Sequence, residues 1–320
     1  MAIQPEQRHY LKYKALYYLY NKGYSYTNTA LELGISRVTL YRLLDEAKAE
    51  GMIKFEIVDT RNIKRLLILE DELKTRYHLS DVKLIDSSSL TGDPASKLAL
   101  ESARYVEFCI RSGMKIGLAW GRALRAMLNY LTPNDGIHNI DVYTLLGGES
   151  DEADLQPNVM VQKLLSFYSG NSHVINAPYI CHSELLCSEL RLEPSIAGIL
   201  DAAQNLDLAI VGVGEKPNWD SFKNGYYHFS DSIIRELISA NAVGDICGNF
   251  FDIDGRICST SISNRIVSIN LDSLKTCKKV IGIANGDVKV QSILGALNGG
   301  YLNILISDTN TAEKLLDARP

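Results

Sequence analysis

No CxxC pair occurs among the six cysteines of this chain, and none of them has a His or Cys partner at zinc-like spacing. Cys109, Cys181, Cys187, Cys247, Cys258 and Cys277 therefore read as buried reduced thiols, and neither a metal nor a cofactor is expected. Long hydrophobic runs are missing as well. No window approaches the roughly 18 apolar residues that a membrane span needs, so the 320 residues read as a soluble chain with room for two domains. The opening stretch MAIQPEQRHYLKYKALYYLY carries Gln, Glu, Arg and two Lys where a secretory signal needs an uninterrupted apolar segment. A cytoplasmic location without membrane contact is the expectation. A full GxGxxG is absent, since GVGEKPN lacks the third glycine and runs into Pro217, which disfavours a dinucleotide fold. FDIDGR, residues 251 to 256, lacks the further oxygen ligands and terminal Glu of a calcium loop and reads as a tight turn between two strands. Internal repeats and low-complexity tracts are also missing.

Charge is unevenly spread. The net value of -5 divides into +2 for residues 1 to 58 and -7 for the rest. A weakly basic head on an acidic body suits phosphate contact at the head and solubility for the remainder.

The head carries a specific pattern. YLKYKALYYLYNKG places Leu11, Ala15, Leu16 and Leu19 at helical spacing, with Gly23 able to end the helix in a left-handed conformation. YSYTNTALELG offers Ser25 or Thr27 as N-cap of a second, short helix with Ala30 and Leu33 inward, stopping at Gly34. Ser36 then caps a third helix whose Leu40, Leu43, Leu44 and Ala47 recur at intervals of three and four. This is the grammar of a helix-turn-helix: a small residue where two helices cross, a residue tolerant of positive φ in the turn, and apolar residues that lock the angle. The outward residues at the start of the third helix are Ser36, Arg37, Val38, Thr39, Tyr41 and Arg42. These are the side chains that reach base edges and phosphates when such a helix enters a major groove. The alternatives are a plain three-helix bundle with a solvated charged face and a head that makes only protein contacts. GMIKFEI, with Gly51 ending the helix and Ile53, Phe55 and Ile57 alternating, predicts a short strand or wing.

After the polar linker VDTRNIKR, strands and helices alternate to the end of the chain. DVKLID, MKIGLAWG, DVYTLLGG, DLAIVGVG, KVIGIANG and YLNILIS read as strands, with amphipathic helices between them. Apolar β-branched runs separated by such helices imply a mostly parallel sheet covered on both faces. The fold class is α/β: an N-terminal helix-turn-helix domain over residues 1 to 58 and a doubly wound domain over 59 to 320. In such sheets ligands sit beyond the carboxyl ends of the strands. Four strands end in glycine there, as GLAWGRAL, LLGGES, VGVGEK and IANGDVK. The candidate ligand positions are Gly117, Trp120, Gly121, Arg122, Gly147, Gly148, Asn285, Gly286 and Lys289, which suit a small anion.

GISRVTLYRLLDEAKAEGMIKFEI, MKIGLAWGRAL, DLAIVGVG, AVGDICGNFFDIDGR and VIGIANGDVKVQSILGALNGGYLNILISDTNTAEKLL together resemble the SorC-type sugar-binding transcriptional regulators over nearly the whole chain. The resemblance implies a helix-turn-helix joined to an effector domain similar in fold to sugar-phosphate isomerases and glucosamine-phosphate deaminases. It also implies a homo-oligomer, a tetramer built as a dimer of dimers, on operator DNA that a small sugar, polyol or sugar phosphate releases or remodels. Residue by residue, Asp245 of GDI and Lys289 of NGDVK match effector-contacting positions, and Gly117 and Gly121 match the phosphate-side loop. One position departs from the pattern: many relatives have Thr where this chain has Ala123, which removes a hydroxyl donor to a phosphate. Trp120, Trp219, Tyr226 and Tyr227 are candidates to stack on sugar C–H faces.

The rival reading is an isomerase- or deaminase-like enzyme with Asp245 or Asp252 as base and Lys289 as electrophile. Against it, His173, His182 and His228 stand in no recognisable catalytic context, and a plain isomerase has no use for a DNA-reading head. The expectation is a regulator, not an enzyme.

Overall fold

The computed structural model describes residues 5–55, 59, 63–87, 93–148, 152–217 and 229–318. Trp219, Tyr226, Tyr227, His228 and Ile57 lie outside them. The chain divides into two compact units, Met1–Arg61 and Asn62–Pro320.

In the first unit, α1 (Pro5–Leu16) runs into a π-helical turn (Tyr17–Asn21), followed by α2 (Tyr26–Glu32) and α3 (Arg37–Ala49). Gly23 leaves the first helix at φ +68° and Gly34 makes the turn between α2 and α3 at φ +65°, a region costly for any residue with a Cβ. The expected caps form. Ser25 Oγ accepts from the Asn28 N–H at 3.2 Å and Ser36 Oγ from the Thr39 N–H at 3.1 Å, each satisfying one of the free donors of a helix start. Ala15, Ala30 and Leu40 form the core, with Leu33, Ile35 and Leu44 packed against it. Arg8 grips Glu46 bidentately at 2.9 and 2.6 Å, and Lys12 reaches Glu50, so α1 is clamped to the second half of α3. The expected wing is not seen among the described residues: Gly51 ends α3 at φ +71°, but Ile53–Phe55 make no strand. Phe55 stays exposed, edge-on to Tyr20 at 5.4 Å.

The second unit is built on seven strands: β1 (Asp81–Ile85), β2 (Lys115–Leu118), β3 (Ile140–Thr144), β4 (Gly170–His173), β5 (Leu208–Gly212), β8 (Val280–Ile283) and β9 (Ile304–Asp308). All their pairings are parallel, in the order β1-β9-β8-β5-β2-β3-β4. Leu208, Ala209, Ile210 and Val211 of the central strand are all fully buried. Consecutive burial requires cover on both faces, which the intervening helices supply: α4 (Ile63–Tyr77), α5 (Pro94–Cys109), α6 (Arg122–Leu128), α7 (Pro157–Leu165), α8 (Glu184–Leu192), α9 (Pro194–Ala202), α10 (Asp231–Ser239), α11 (Leu271–Thr276), α12 (Val290–Asn298) and α13 (Thr309–Asp317). A two-stranded antiparallel ribbon, β6 (Gly244–Ile246) and β7 (Asn249–Phe251), lies outside the main sheet. Its turn is Cys247–Gly248 with both residues at positive φ, 51° and 74°, the geometry that matches the twist of a tight hairpin.

The winding reverses once between neighbours. From β2 the chain steps outward through β3 and β4, and from β5 it steps the other way through β8 and β9. Connections leave β2 and β5 in opposite directions, so a crevice opens beyond their carboxyl ends.

Candidate functional site

Around that crevice, hydrogen bonds link the segments leaving β5 and β8, the β6 ribbon and α12. Leaving β5, the Gly214 N–H donates to the Asp245 carbonyl at 2.8 Å, which joins the end of the central strand to β6. Gly214 is glycine for a steric reason: a Cβ there would lie 1.8 Å from Asp245 Oδ1. Gly244 sits equally close to α12, since its Cβ would fall 2.5 Å from the Cβ of Ser292, whose hydroxyl donates to the Val243 carbonyl at 2.7 Å. Asp245 is 3% exposed, and its Oδ2 accepts from the Gly248 N–H at 2.9 Å across the ribbon turn.

Lys289 reaches into the same place from the segment after β8. Its Nζ donates to the Val213 carbonyl at 2.7 Å, and the side chain is half-buried. Burial pushes the Lys289 ammonium below the ordinary lysine range; Asp245 and Glu215 oppose that shift, and Arg122 adds to it. Asp245 of β6, Glu215 after β5 and Arg122 after β2 thus each act electrostatically on Lys289. Gly121, at φ +137°, precedes α6 with open space where a Cβ would be. Trp120 meets Tyr179 edge-on at 5.9 Å, and the Tyr179 hydroxyl occupies the space a Cβ on Gly248 would fill. An aromatic pair therefore adjoins the ribbon turn that holds Asp245. Two carboxylates, an ammonium and a guanidinium beside an aromatic wall can accept from hydroxyls, balance an anion and cover a C–H face.

The other expected positions serve the scaffold. Gly117 lies inside β2, where a Cβ would meet Leu145 Cδ2 at 2.5 Å and Leu206 Cδ1 at 2.6 Å. The N–H groups of Gly147 and Gly148 donate to the carbonyls of Val267 and Ala177 at 2.9 and 3.0 Å. Asn285 donates to Asp308 Oδ2 at 2.8 Å, and the Gly286 N–H donates to Thr311 Oγ1 at 2.9 Å, fixing the loop after β8 to the start of α13. Glu215 and Tyr179 were not expected from the sequence. Gly214 was among the strand-end glycines of VGVGEK, whereas nothing local marks a tyrosine in INAPYICH as a neighbour of a ribbon about 70 residues later.

On the first unit, the leading edge of α3 is open. Arg37, Val38, Tyr41 and Arg42 are exposed and Thr39 is partly so. Ser36 and Thr39 share a hydroxyl hydrogen bond at 2.8 Å. Tyr41 stacks on Tyr26 of α2 at 5.3 Å with the rings 24° apart, so the two helices brace each other through side chains on their outer side.

Residues 61–317 match the family model described as "Putative sugar-binding domain". The chain belongs to the SorC-type sugar-binding transcriptional regulators. This SorC-type chain is 29% identical over 305 residues to the sorbitol operon regulator of Klebsiella pneumoniae, covering 93% of this chain and 94% of that protein. It is 27% identical over 318 residues to the deoxyribonucleoside regulator of Bacillus subtilis, covering 97% and 98%. The crystal structure of full-length SorC from Klebsiella pneumoniae matches with a TM-score of 0.74 at 28% identity, over 96% of this chain and 98% of that one. The relatives are regulators, not enzymes, which answers the isomerase alternative. Among the described residues no helix is long and apolar enough to cross a membrane.

Proposed function

We propose that this SorC-type regulator, working in the cytoplasm, holds operator DNA of a sugar or polyol catabolic operon through the leading edge of α3. A small sugar, polyol or sugar phosphate bound beyond β2 and β5 sets the strength of that hold. The observation that carries the reading is that Lys289, on the Val213 carbonyl, and Asp245, whose carbonyl takes the Gly214 N–H, meet at the end of β5 where the winding reverses. Asp245 and Glu215 accept from effector hydroxyls, Lys289 and Arg122 balance an anionic group, and Trp120 covers an apolar face. Gly121 lies at the rim, and Gly117, Gly147, Gly148, Asn285 and Gly286 hold the surrounding strand ends and loops in place. At the head, Arg37 and Arg42 engage phosphate or guanine, and Ser36, Thr39 and Tyr41 engage phosphate.

The domain boundary falls near residue 58. The chain acts as a homo-oligomer, a dimer of dimers, whose paired heads meet half-sites about one DNA turn apart. The effector favours one arrangement of the assembly over another. A coupling on the order of 1 to 3 kcal/mol is enough to change operator occupancy.

The test takes duplexes enriched from a random-sequence pool by the full-length protein and measures their affinity with and without pentitols, hexitols, ketoses and their phosphates. Phosphorylated and free sugars are both included because Ala123 offers a phosphate no hydroxyl. Arg42→Ala should weaken DNA binding and leave effector binding intact, and Lys289→Ala should do the reverse. Loss of the same function in both variants would refute the division of labour.

A further inference from the structure

Val38 stands out among the apolar residues of α3. Leu40, Leu43 and Ala47 are buried and Leu44 is half-buried, whereas Val38 is 79% exposed. Its position two residues before Leu40 puts it on the side of the helix opposite the core stripe. A valine has lower helix propensity than the Lys, Arg or Glu that suit an exposed helix surface, and it gains nothing from water. Its neighbours are committed in different ways. Ser36 and Thr39 are engaged in the cap, and Tyr41 is stacked on Tyr26. Arg37 and Arg42 flank it as exposed cations. Within the first turn of α3, Val38 is the only side chain that presents nothing but methyl groups.

We infer that Val38 is a specificity-determining residue that reads the 5-methyl group of a thymine in the operator half-site; this rests on the proposal that α3 enters the major groove. The thymine methyl is the apolar feature that a base pair displays in that groove, and a side chain without donor or acceptor has no other base-edge partner there. β-Branching strengthens the fit. In a helix, valine is held in one strongly preferred rotamer, so its methyls are already positioned and little side-chain freedom is lost on contact. The flanking arginines engage phosphate or guanine, neither of which senses the thymine methyl, and Val38 supplies discrimination at one base pair.

The test uses the full-length protein and a duplex it enriches from a random-sequence pool. Each thymine of the half-site is replaced singly by deoxyuridine, which removes the methyl and leaves every hydrogen-bonding group in place. One thymine per half-site should lose about fourfold in affinity when its methyl is removed, the fold-change equivalent to the roughly 0.8 kcal/mol of one buried carbon. Val38→Ala should bind the thymine duplex more weakly and no longer distinguish thymine from uracil at that position. Arg37→Ala should weaken binding to all the duplexes about equally and keep the distinction. If the wild-type protein binds every uracil duplex as tightly as the parent, or if Val38→Ala still discriminates, the inference falls while the DNA-binding proposal stands. A Val38→Ala protein that matches wild type on DNA but changes its state of association would likewise overturn it, by assigning the valine to a protein contact. If no duplex is enriched from the pool at all, both fall together.

Discussion

Replacing Gly214 by alanine is the sharpest probe of the effector site, because the change is a single carbon whose obstacle is known. The backbone at Gly214 is not at positive φ, so alanine brings no conformational strain there, and any effect comes from the side chain. Its Cβ would lie 1.8 Å from Asp245 Oδ1, against the 3.4 Å at which ordinary contact begins, so the carboxylate must retreat by about 1.6 Å. Asp245 is nearly fully buried, and its other oxygen takes the Gly248 N–H at 2.9 Å. A retreat of that size breaks this bond. Losing a hydrogen bond to a charged group costs about 1.5 to 3 kcal/mol, which in a unit of this size lowers Tm by roughly 3 to 10 °C. An effector hydroxyl that donates to the displaced carboxylate loses a contact of similar strength, weakening effector affinity roughly 10- to 150-fold.

The assay is calorimetric titration of the full-length variant with whichever sugar shifts the DNA affinity of the wild type, alongside a thermal melt and a DNA titration without effector. Gly212→Ala is the control, since its Cβ would touch only Leu124 Cδ1 at an ordinary 3.4 Å. The expected pattern is a lower Tm and a lost effector response for Gly214→Ala, near-wild-type behaviour for Gly212→Ala, and unchanged DNA affinity for both. A Gly214→Ala protein that binds effector normally would show that the placement of Asp245 does not matter, and would remove the carboxylate from the proposed site.

Gly34→Ala should destabilise the first unit by about 1 to 2 kcal/mol in chemical denaturation, because φ +65° is strained for alanine while the space itself is empty. Arg42→Ala should flatten the slope of log affinity against log salt by about one unit if the guanidinium holds a phosphate, and an unchanged slope would remove that contact. Glu46 is held below the usual carboxylate range, chiefly by its hydrogen bond from Arg8. Its contribution is therefore present above the unfolded carboxyl value and lost as pH falls through the folded one, so acid titration of the isolated first-unit signal should show a loss that Glu46→Gln abolishes. Lys289 shifts the opposite way for a base. With its folded value lowered by burial, folding is penalised below that value and the penalty vanishes as pH rises from it toward the unfolded value. Effector response that depends on the ammonium should fade over the same alkaline window, and Lys289→Arg should retain it.

The features legible in the sequence were those whose cause is local. Ser25 and Ser36 cap because a hydroxyl two or three residues from a free N–H needs no distant partner, and Gly23 and Gly34 adopt positive φ because the turn itself demands it. The strands β2, β3, β5, β8 and β9 are apolar because they are largely buried on both faces, and β1 alternates half-buried Asp81 and Lys83 with buried Val82 and Leu84, so either pattern survives without knowledge of neighbours. Strand β4 escaped notice for the converse reason. Its GNSH is a polar outer strand, mostly exposed, paired on one side only to β3, so it buries nothing that would show as periodicity. Of the expected wing, Ile53–Phe55 pair with no second segment among the described residues, and Ile57 lies outside them.

The site divides along the same line. Each glycine at a strand end looks alike in sequence, yet its surroundings decide what each does. Gly214 yields to the Asp245 carboxylate, Gly117 to Leu145 and Leu206, and Gly147 to the backbone of Ala177 and Pro178. Gly121 has empty space before it and is glycine for its φ alone. Only the first and last of these border the crevice between β2 and β5, and that crevice exists because of strand order, which no single segment encodes. Lys289 stood out beside a strand-end glycine and Asp245 came through resemblance to a family, whereas Glu215 and Tyr179 join them only once the sheet is wound. A pocket assembled from the ends of non-adjacent strands is written in topology, and local sequence discloses its parts without their arrangement.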